Sequence, residues 1–327
     1  MTIKKIIFIL AIICSFSHAK VFAVNSKLDL KGYVDIDGAI SVLHQGDSAD
    51  PYFAMQALLL AHDNGLDATS HIEKFTNWLL PFQKPDGTFD RFCRDEKKKW
   101  LACKTADADD SILALWMRLL QTAPDKLKAS PVLMKSYLAS QASLERLFQP
   151  SRGIYMVSPV YLHGLFMDNL EVWSLKSHLK MAGQAADPTK LARAINETFW
   201  DPVNQKFLVS TQLEQRSEKP VFYPDNVAQI FPLMVQFSPM SKDARSLYRQ
   251  WMATHRADWL KQSQTDYPWG LIAVLALRFN DITSVKCWLR EAAPNQHSHR
   301  WAVTDETAYQ IVKSRGLIAA TTSTSCK

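Results

Sequence analysis

The segment "KTADADDSILALWMRLL", Lys104 to Leu120, places three aspartates directly before apolar residues at helical spacing. These aspartates are Asp107, Asp109 and Asp110. Capping explains one of them, because an aspartate side chain accepts hydrogen bonds from the free N–H groups of the first helical turn. The segment therefore predicts the start of a buried helix and a cluster of acids that capping alone does not require.

Five other strongly apolar segments also begin with an aspartate, namely Asp50, Asp168, Asp225, Asp266 and Asp305. Amphipathic segments alternate with the apolar ones, at Ser70–Leu80, Val132–Phe148, Thr189–Trp200, Lys242–Leu260 and Ile282–Ala292. A helix that is apolar on most faces has to be buried, and an amphipathic helix can cover it. We see no convincing strand series. The alternation predicts an all-α fold, an (α/α)6 barrel in which an outer ring of helices wraps an inner ring, with negligible sheet.

The inner helices of such a ring all run in the same direction, so their N-termini meet at one mouth. The six aspartates would then line an acidic cleft. This arrangement gives the surplus carboxylates near Asp109 a place where they could act on a ligand.

Residues Met1 to Ala23 have the pattern of an export signal. Lys4 and Lys5 precede the apolar run "IIFILAIICSF", which at about 11 residues is too short to span a bilayer. We predict cleavage after Ala23, with Ala19 as a second candidate position. The expected products are a signal peptide at 1–23 and a single α/α-barrel domain at 24–327, in the periplasm or secreted.

The chain has a formal net charge of +6, and cleavage would remove three of its lysines and no acid. The remaining charge is too weak to indicate nucleic-acid binding. We predict a monomer with a polysaccharide or oligosaccharide ligand, no nucleic-acid partner and no stable membrane insertion after cleavage.

Four cysteines would remain in the mature chain. Cys93 and Cys103 bracket a polar segment, and an oxidising compartment would allow them to form a disulfide, with two free thiols as the alternative. The cysteine spacing does not suit a zinc site. We predict no metal and no cofactor.

Four segments occur in an order that resembles the six-hairpin glycosidase superfamily of (α/α)6 barrels. They are "FMDNLEVWSLKSHL", "INETFWDPVNQKFLVS", "FYPDNVAQIFPLM" and "DYPWGLIAVLAL". The resemblance extends over nearly the whole predicted mature chain. It implies the barrel fold and a glycoside hydrolase activity.

Two N-terminal segments, "SADPYFAMQALLLA" and "TADADDSILALWMRLL", look most like motifs of family 8 glycoside hydrolases, the endoglucanase and chitosanase group. In that family the first motif carries the general acid, a glutamate. Alignment on Phe53-Ala54-Met55 puts Ala49 at the glutamate position, so this chain departs from the family there. Asp50 is adjacent and Asp47 is nearby, but neither is in register.

Glycosidic hydrolysis needs one protonated and one ionised carboxyl group. We predict Asp109, Asp50 and Asp225 as the catalytic residues, with Asp109 as the first choice. The substrate-binding candidates are the acids Asp107, Asp110, Asp168 and Glu171 and the possible sugar-stacking residues Tyr52, Tyr223, Tyr267 and Trp269. For each acid the alternative is an ordinary helix cap, and for Trp116 and Trp173 we expect a place in the core.

Two other functions remain open. Asp107-x-Asp109-Asp110 matches the Asp-x-Asp-Asp proton donor of squalene-type and bicyclic terpene cyclases, although export and chain length count against that function. The absence of the family glutamate allows a non-catalytic carbohydrate-binding or polysaccharide-assembly protein on the same barrel. The predicted function is an exported hydrolase that cleaves a β-linked polysaccharide.

Overall fold

The computed structural model describes residues 26–216, 219–237, 243–261, 267–321 and Cys326. The predicted signal peptide and Asp266 lie outside the described residues. The helices are α1 (Pro51–Asp63), α2 (Thr69–Leu79), α3 (Asp109–Thr122), α4 (Asp125–Lys128), α5 (Pro131–Arg146), α6 (Phe166–Met181), α7 (Pro188–Phe199), α8 (Val227–Met234), α9 (Ala244–Lys261), α10 (Gly270–Arg278), α11 (Ile282–Ala292) and α12 (Val303–Ser314). Within the described ranges, no helix is both long enough and apolar enough to cross a bilayer.

The six apolar helices α1, α3, α6, α8, α10 and α12 form the inner ring. Each contacts the next along the chain, and α12 packs against α1, so the ring is closed. Helices α2, α5, α7, α9 and α11 each cover the inner helix that precedes them. The predicted all-α barrel is therefore confirmed, and its alternation of buried and covering helices follows from the apolar and amphipathic sequence pattern.

The sixth outer position is filled by irregular chain instead of a helix. The backbone N–H of Leu28 donates to the carbonyl oxygen of Asp67 beside α2, and the backbone N–H of Asp29 donates to the side chain of Gln310 on α12. Tyr33 is buried, and its hydroxyl lies 3.5 Å from the carbonyl oxygen of Trp301. The segment 26–49 thus covers the junction between α12 and α2.

A small antiparallel sheet stands beside the start of α3, and the sequence pattern did not predict it. Strands β1 (Ser48–Ala49), β2 (Asp90–Arg94) and β3 (Trp100–Thr105) pair in that order. Two short ladders elsewhere pair β4 (Phe148–Gln149) with β5 (Ile154–Tyr155) and β6 (Trp200–Asp201) with β7 (Lys206–Phe207). The expectation of negligible sheet was wrong for the β2–β3 hairpin.

Two disulfides connect the four described cysteines. Cys93 bonds to Cys103 across the β2–β3 hairpin, as the sequence allowed. Cys287 on α11 bonds to Cys326, which fixes the end of the C-terminal tail to the outer ring. The sequence did not predict this second pairing.

The aspartates at the helix starts differ in their local roles. Asp50 is a true cap, since its side chain accepts from the backbone N–H of Tyr52. Asp109 and Asp168 lie inside the first turns of α3 and α6, after Ala108 and Leu165 in the cap positions. The expectation of one capping aspartate per inner helix therefore does not hold for α3 and α6. The carboxylates of Asp109 and Asp168 are available for other contacts.

Candidate active site

A cavity of about 310 Å³ opens where the N-termini of the inner helices meet. All six inner helices, or the residues just before them, contribute to its wall, so the predicted convergence is confirmed. We call this space the mouth cavity. Its lining includes the predicted site residues Asp50, Asp107, Asp168, Tyr52, Tyr223, Tyr267 and Trp269.

Asp168 is the carboxyl that reaches the cavity from the first turn of α6. Its Oδ2 atom is buried and has no hydrogen-bond partner among the described residues. Burial raises the pKa of Asp168 to about 7, because a charged carboxylate is costly where water is excluded. A substantial fraction of Asp168 is therefore protonated near neutral pH.

Asp50 lies in different surroundings on the same cavity. Its Oδ1 atom accepts from the backbone N–H of Tyr52 at 2.9 Å, and its Oδ2 atom lies 3.3 Å from Nε of Arg91. Burial raises the pKa of Asp50, while the Tyr52 N–H and the Arg91 guanidinium oppose this rise by stabilising the carboxylate. Arg91 also pairs with the exposed Asp107.

Arg91 stands on strand β2, so the unpredicted hairpin supplies the positive charge of the site. Ala49 belongs to the same sheet, where it pairs with Phe92 and is buried. No carboxyl group replaces the expected glutamate at that position. The sequence did not indicate that Arg91 contacts Asp50 and Asp107, because this contact depends on the strand pairing.

Aromatic rings form another part of the wall. Tyr223 and Trp269 have ring centroids 5.2 Å apart and an interplanar angle of 30°. Phe53 and Tyr267 meet edge to face at 5.8 Å. Trp269 adopts a left-handed backbone conformation with φ of 53°, which is unusual for a bulky residue and is typical of functional positions. Such rings can stack on the apolar face of a sugar.

Asp305 supports this aromatic wall from α12. Its Oδ1 atom accepts from the backbone N–H of Gly270 at 2.7 Å, and its Oδ2 atom accepts from the backbone N–H of Ala302 at 3.2 Å. Burial raises the pKa of Asp305 to about 7. Because both oxygens are already bonded to backbone groups, Asp305 holds the start of α10, where Trp269 lies.

Glu171 lies one turn deeper than Asp168 and does not line the mouth cavity. Its Oε1 atom accepts from the hydroxyl of Tyr52 at 2.9 Å, and that hydroxyl also accepts from the amide of Gln56. Burial raises the pKa of Glu171 above its ordinary value, and the nearby Asp168 adds to the rise. Glu171 therefore positions the Tyr52 side chain from a place deeper in the ring than the mouth cavity.

The three aspartates of the opening segment do not share one environment. Asp107 is exposed, whereas Asp110 is fully buried behind the cavity, where burial and Asp168 raise its pKa. Asp109 does not line the cavity, and burial raises its pKa to about 6. The charged groups acting on it include Lys84 and two acids outside the ring.

Asp225 also lies away from the mouth cavity. It belongs to the turn Phe222–Asn226 before α8, and its Oδ2 atom accepts from the backbone N–H of Val221 at 3.0 Å. A local role in this turn accounts for that contact. Among the described residues, no group of three or more His, Cys, Asp or Glu side chains is arranged to hold a metal ion.

No family model matches this chain, and no curated protein matches it. Several solved structures are similar in fold. An α-amylase from Clostridium perfringens has 9% identity and a TM-score of 0.60, with 87% of this chain and 94% of that chain covered. A GH63 mannosylglycerate hydrolase from Thermus thermophilus has 12% identity and a TM-score of 0.52, with coverage of 88% and 98%.

A GH76 α-mannanase from Bacteroides thetaiotaomicron has 11% identity and a TM-score of 0.53, with coverage of 88% and 91%. At these identities the similarity establishes the fold. The closer likeness to family 8 stays a prediction from the sequence motifs. The chain thus has the α/α-barrel fold that the order of its sequence segments predicted, and these three glycoside hydrolase structures have a similar fold.

Proposed function

We propose that this protein is a glycoside hydrolase whose reaction takes place in the mouth cavity. One observation carries the proposal: Asp168 and Asp50 line the same cavity, but only Asp50 has a cation and a backbone N–H that favour its ionised form. Two carboxyls with different protonation preferences are what glycosidic hydrolysis requires. The neighbouring aromatic rings and the similar fold of three glycosidases support it.

In the proposed reaction, protonated Asp168 donates its proton to the glycosidic oxygen as the bond from that oxygen to the anomeric carbon breaks. Asp50, whose ionised form Arg91 favours, stabilises the positive charge that develops on the sugar ring and acts on water or on the anomeric carbon. Water supplies the hydroxyl of one product and returns a proton to the enzyme. The rings of Tyr223 and Trp269 orient the sugar by stacking.

This assignment differs from the prediction that Asp109 is the principal catalytic residue. Asp109 remains the sequence-based hypothesis, whereas Asp168 is chosen because it opens into the cavity. The two hypotheses predict opposite results for the Asp168→Asn and Asp109→Asn variants.

We further propose a polysaccharide substrate with β-linkages, on the strength of the family 8 resemblance. The similar structures include an α-amylase and an α-mannanase, so the test must include both linkages. Purified protein should release reducing ends from at least one member of a panel of β-glucans, chitosans, exopolysaccharides, starch and mannan. Turnover of an α-linked member alone would reject the β-linkage and retain the hydrolase.

A non-catalytic carbohydrate-binding protein is the second candidate, and the buried Ala49 in place of the family glutamate favours it. This alternative predicts saturable binding of a polysaccharide with no release of reducing ends. The hydrolase proposal fails if the whole panel gives that result.

We also propose that the protein is exported. The two disulfides support it, since structural disulfides are common in oxidising compartments and rare in the cytosol. We expect the mature protein recovered from the periplasm or medium to begin near Val24 or Lys20. An intact mass that retains Met1 in such a sample would contradict cleavage.

A further inference from the structure

A second cavity of about 490 Å³ lies at the opposite end of the inner ring, and we call it the rear cavity. The C-terminal halves of α1, α3 and α6 and the end of α8 form most of its wall. Gln56, Phe231 and Leu271 line both cavities and so form the partition between them. The rear cavity is therefore a distinct space from the proposed active site.

Its wall contains buried polar atoms without hydrogen-bond partners among the described residues. These atoms are Oε2 of Glu171, Nε1 of Trp173 and Nε of Arg118. Glu171 is 5% exposed and Trp173 is 6% exposed. Leaving such a group unsatisfied is costly, so unsatisfied groups that surround one cavity point to a polar ligand.

The charges of the rear cavity favour a neutral ligand. Arg118 is already paired with Asp63, and it also lies 3.1 Å from Nε2 of His178. Burial lowers the pKa of His178, and Arg118 adds to this, so the surroundings favour the neutral imidazole. Helix C-termini, which carry a partial negative charge, face this end and disfavour an anion.

The rest of the wall suits a ring that carries hydroxyl groups. Ser177 and Gln236 can each donate and accept hydrogen bonds, while Leu59, Leu60 and Leu271 offer an apolar surface. The volume is within the usual range for small-molecule sites. We propose that the rear cavity binds a neutral saccharide of one or two sugar units, held by Trp173, Glu171 and Arg118. This inference does not depend on catalysis at the mouth.

The indole N–H of Trp173 provides a direct test. The chain has ten tryptophans, so a ¹⁵N-tryptophan sample gives a small set of indole signals. Trp173→Phe and Trp269→Phe assign the signals that report the rear and mouth cavities. Glucose, mannose, galactose and cellobiose are then titrated into the folded, disulfide-bonded protein and into Asp168→Asn.

We expect at least one of these sugars to shift the Trp173 signal saturably, with a dissociation constant different from that of any Trp269 shift. In calorimetry, Trp173→Phe should weaken this binding about five- to tenfold, since it removes one hydrogen bond and keeps most of the ring. Trp116→Phe is the matched control, because Trp116 is also buried but donates to Ser136 in the core. It should leave the affinity unchanged.

Ser177→Leu is a second variant, which narrows the cavity without removing a buried ring. It should abolish the Trp173 shift while the melting temperature stays close to that of the wild type. The inference is overturned if none of the four sugars shifts Trp173, or if the shift persists in Ser177→Leu. It is also overturned if Trp173 and Trp269 report one shared binding event. A Trp269 signal that never moves would count against the proposed function and not against the rear site.

Discussion

At the scale of single residues, the site depends on how two carboxyls are surrounded. Burial raises the pKa of Asp168. At Asp50, Arg91 and the Tyr52 N–H stabilise the ionised carboxylate and oppose the effect of burial. Neither surrounding can be derived from composition, because each requires knowing which side chain faces the cavity. Consecutive helical residues point about 100° apart, so the sequence could place Asp109 and Asp110 at a helix start but not choose between their directions.

Asparagine variants distinguish Asp168 from Asp109. Asp168→Asn should reduce the rate of hydrolysis by about 10²–10⁴-fold, since an amide of the same shape cannot donate the carboxyl proton. Asp109→Asn should retain most activity if the cavity defines the active site. Steady-state rates on the best substrate provide the measurement, with thermal melts to verify folding. Loss of activity in Asp109→Asn alone would restore the sequence-based assignment.

The pH profile offers an independent measurement of Asp168. A general acid works in its protonated form, so kcat/KM should fall as pH rises through the pKa of about 7. The decrease should approach tenfold per pH unit in the alkaline limb. In Asp168→Asn the residual activity should lack this limb. A wild-type profile that remains flat from pH 6 to pH 9 would exclude Asp168 as the proton donor.

At the scale of elements, the inner and outer helices were predictable because their apolar patterns differ strongly over ten or more residues. The β2–β3 hairpin was missed because a charged run, "RDEKKK", dominates its middle and hides the buried Phe92 and Trp100. The hairpin supplies Arg91, so the missed element also hid a site residue. The conformation at the start of α10 was also not predictable from the sequence, because it depends on a contact with α12.

Gly270 at the start of α10 lies tightly against α12. A Cβ atom there would lie 2.6 Å from Cβ of Ala308 and 3.2 Å from Cα of Asp305. Gly270→Ala should therefore reduce the free energy of unfolding by about 1–3 kcal/mol. It should also reduce activity, because Trp269 immediately precedes the displaced residue.

Gly183→Ala is the matched control for that variant. Gly183 has φ of 75° and open space around it, so alanine there costs stability only through the backbone, by about 1–2 kcal/mol. Urea denaturation and activity assays compare the two proteins. Equal activity in both variants would mean that the position of Trp269 does not depend on the contact at Gly270.

At the scale of the whole molecule, the barrel buries several acids near one end. Burial raises the pKa values of Asp168 and Asp305 to about 7, well above their values in an unfolded chain. Between about pH 4 and pH 7 the folded protein thus binds protons that the unfolded chain has released. Stability must then fall as pH rises through this window, and the loss levels off about one pH unit above the folded-state pKa of about 7.

Histidines with lowered pKa values, such as His178 and His71, instead make stability rise with pH below about pH 6.5. We therefore expect the clearest loss of stability between pH 6.5 and pH 7.5, on the order of 1 kcal/mol per pH unit for each of the two acids. Urea unfolding at constant ionic strength provides the measurement. A free energy of unfolding that increases across this interval would contradict the burial of protonated acids.

The contact between α12 and α1 has a consequence for the order of assembly. Beside this contact, Asp29 in the segment before α1 is hydrogen-bonded to Gln310 on α12, 281 positions away, so this seam cannot form until the last inner helix has been synthesised. Until then the growing chain is an open arc with bare apolar flanks on α1 and α10. For the export proposed above, this delay would keep the ring from closing before the last inner helix has crossed the membrane.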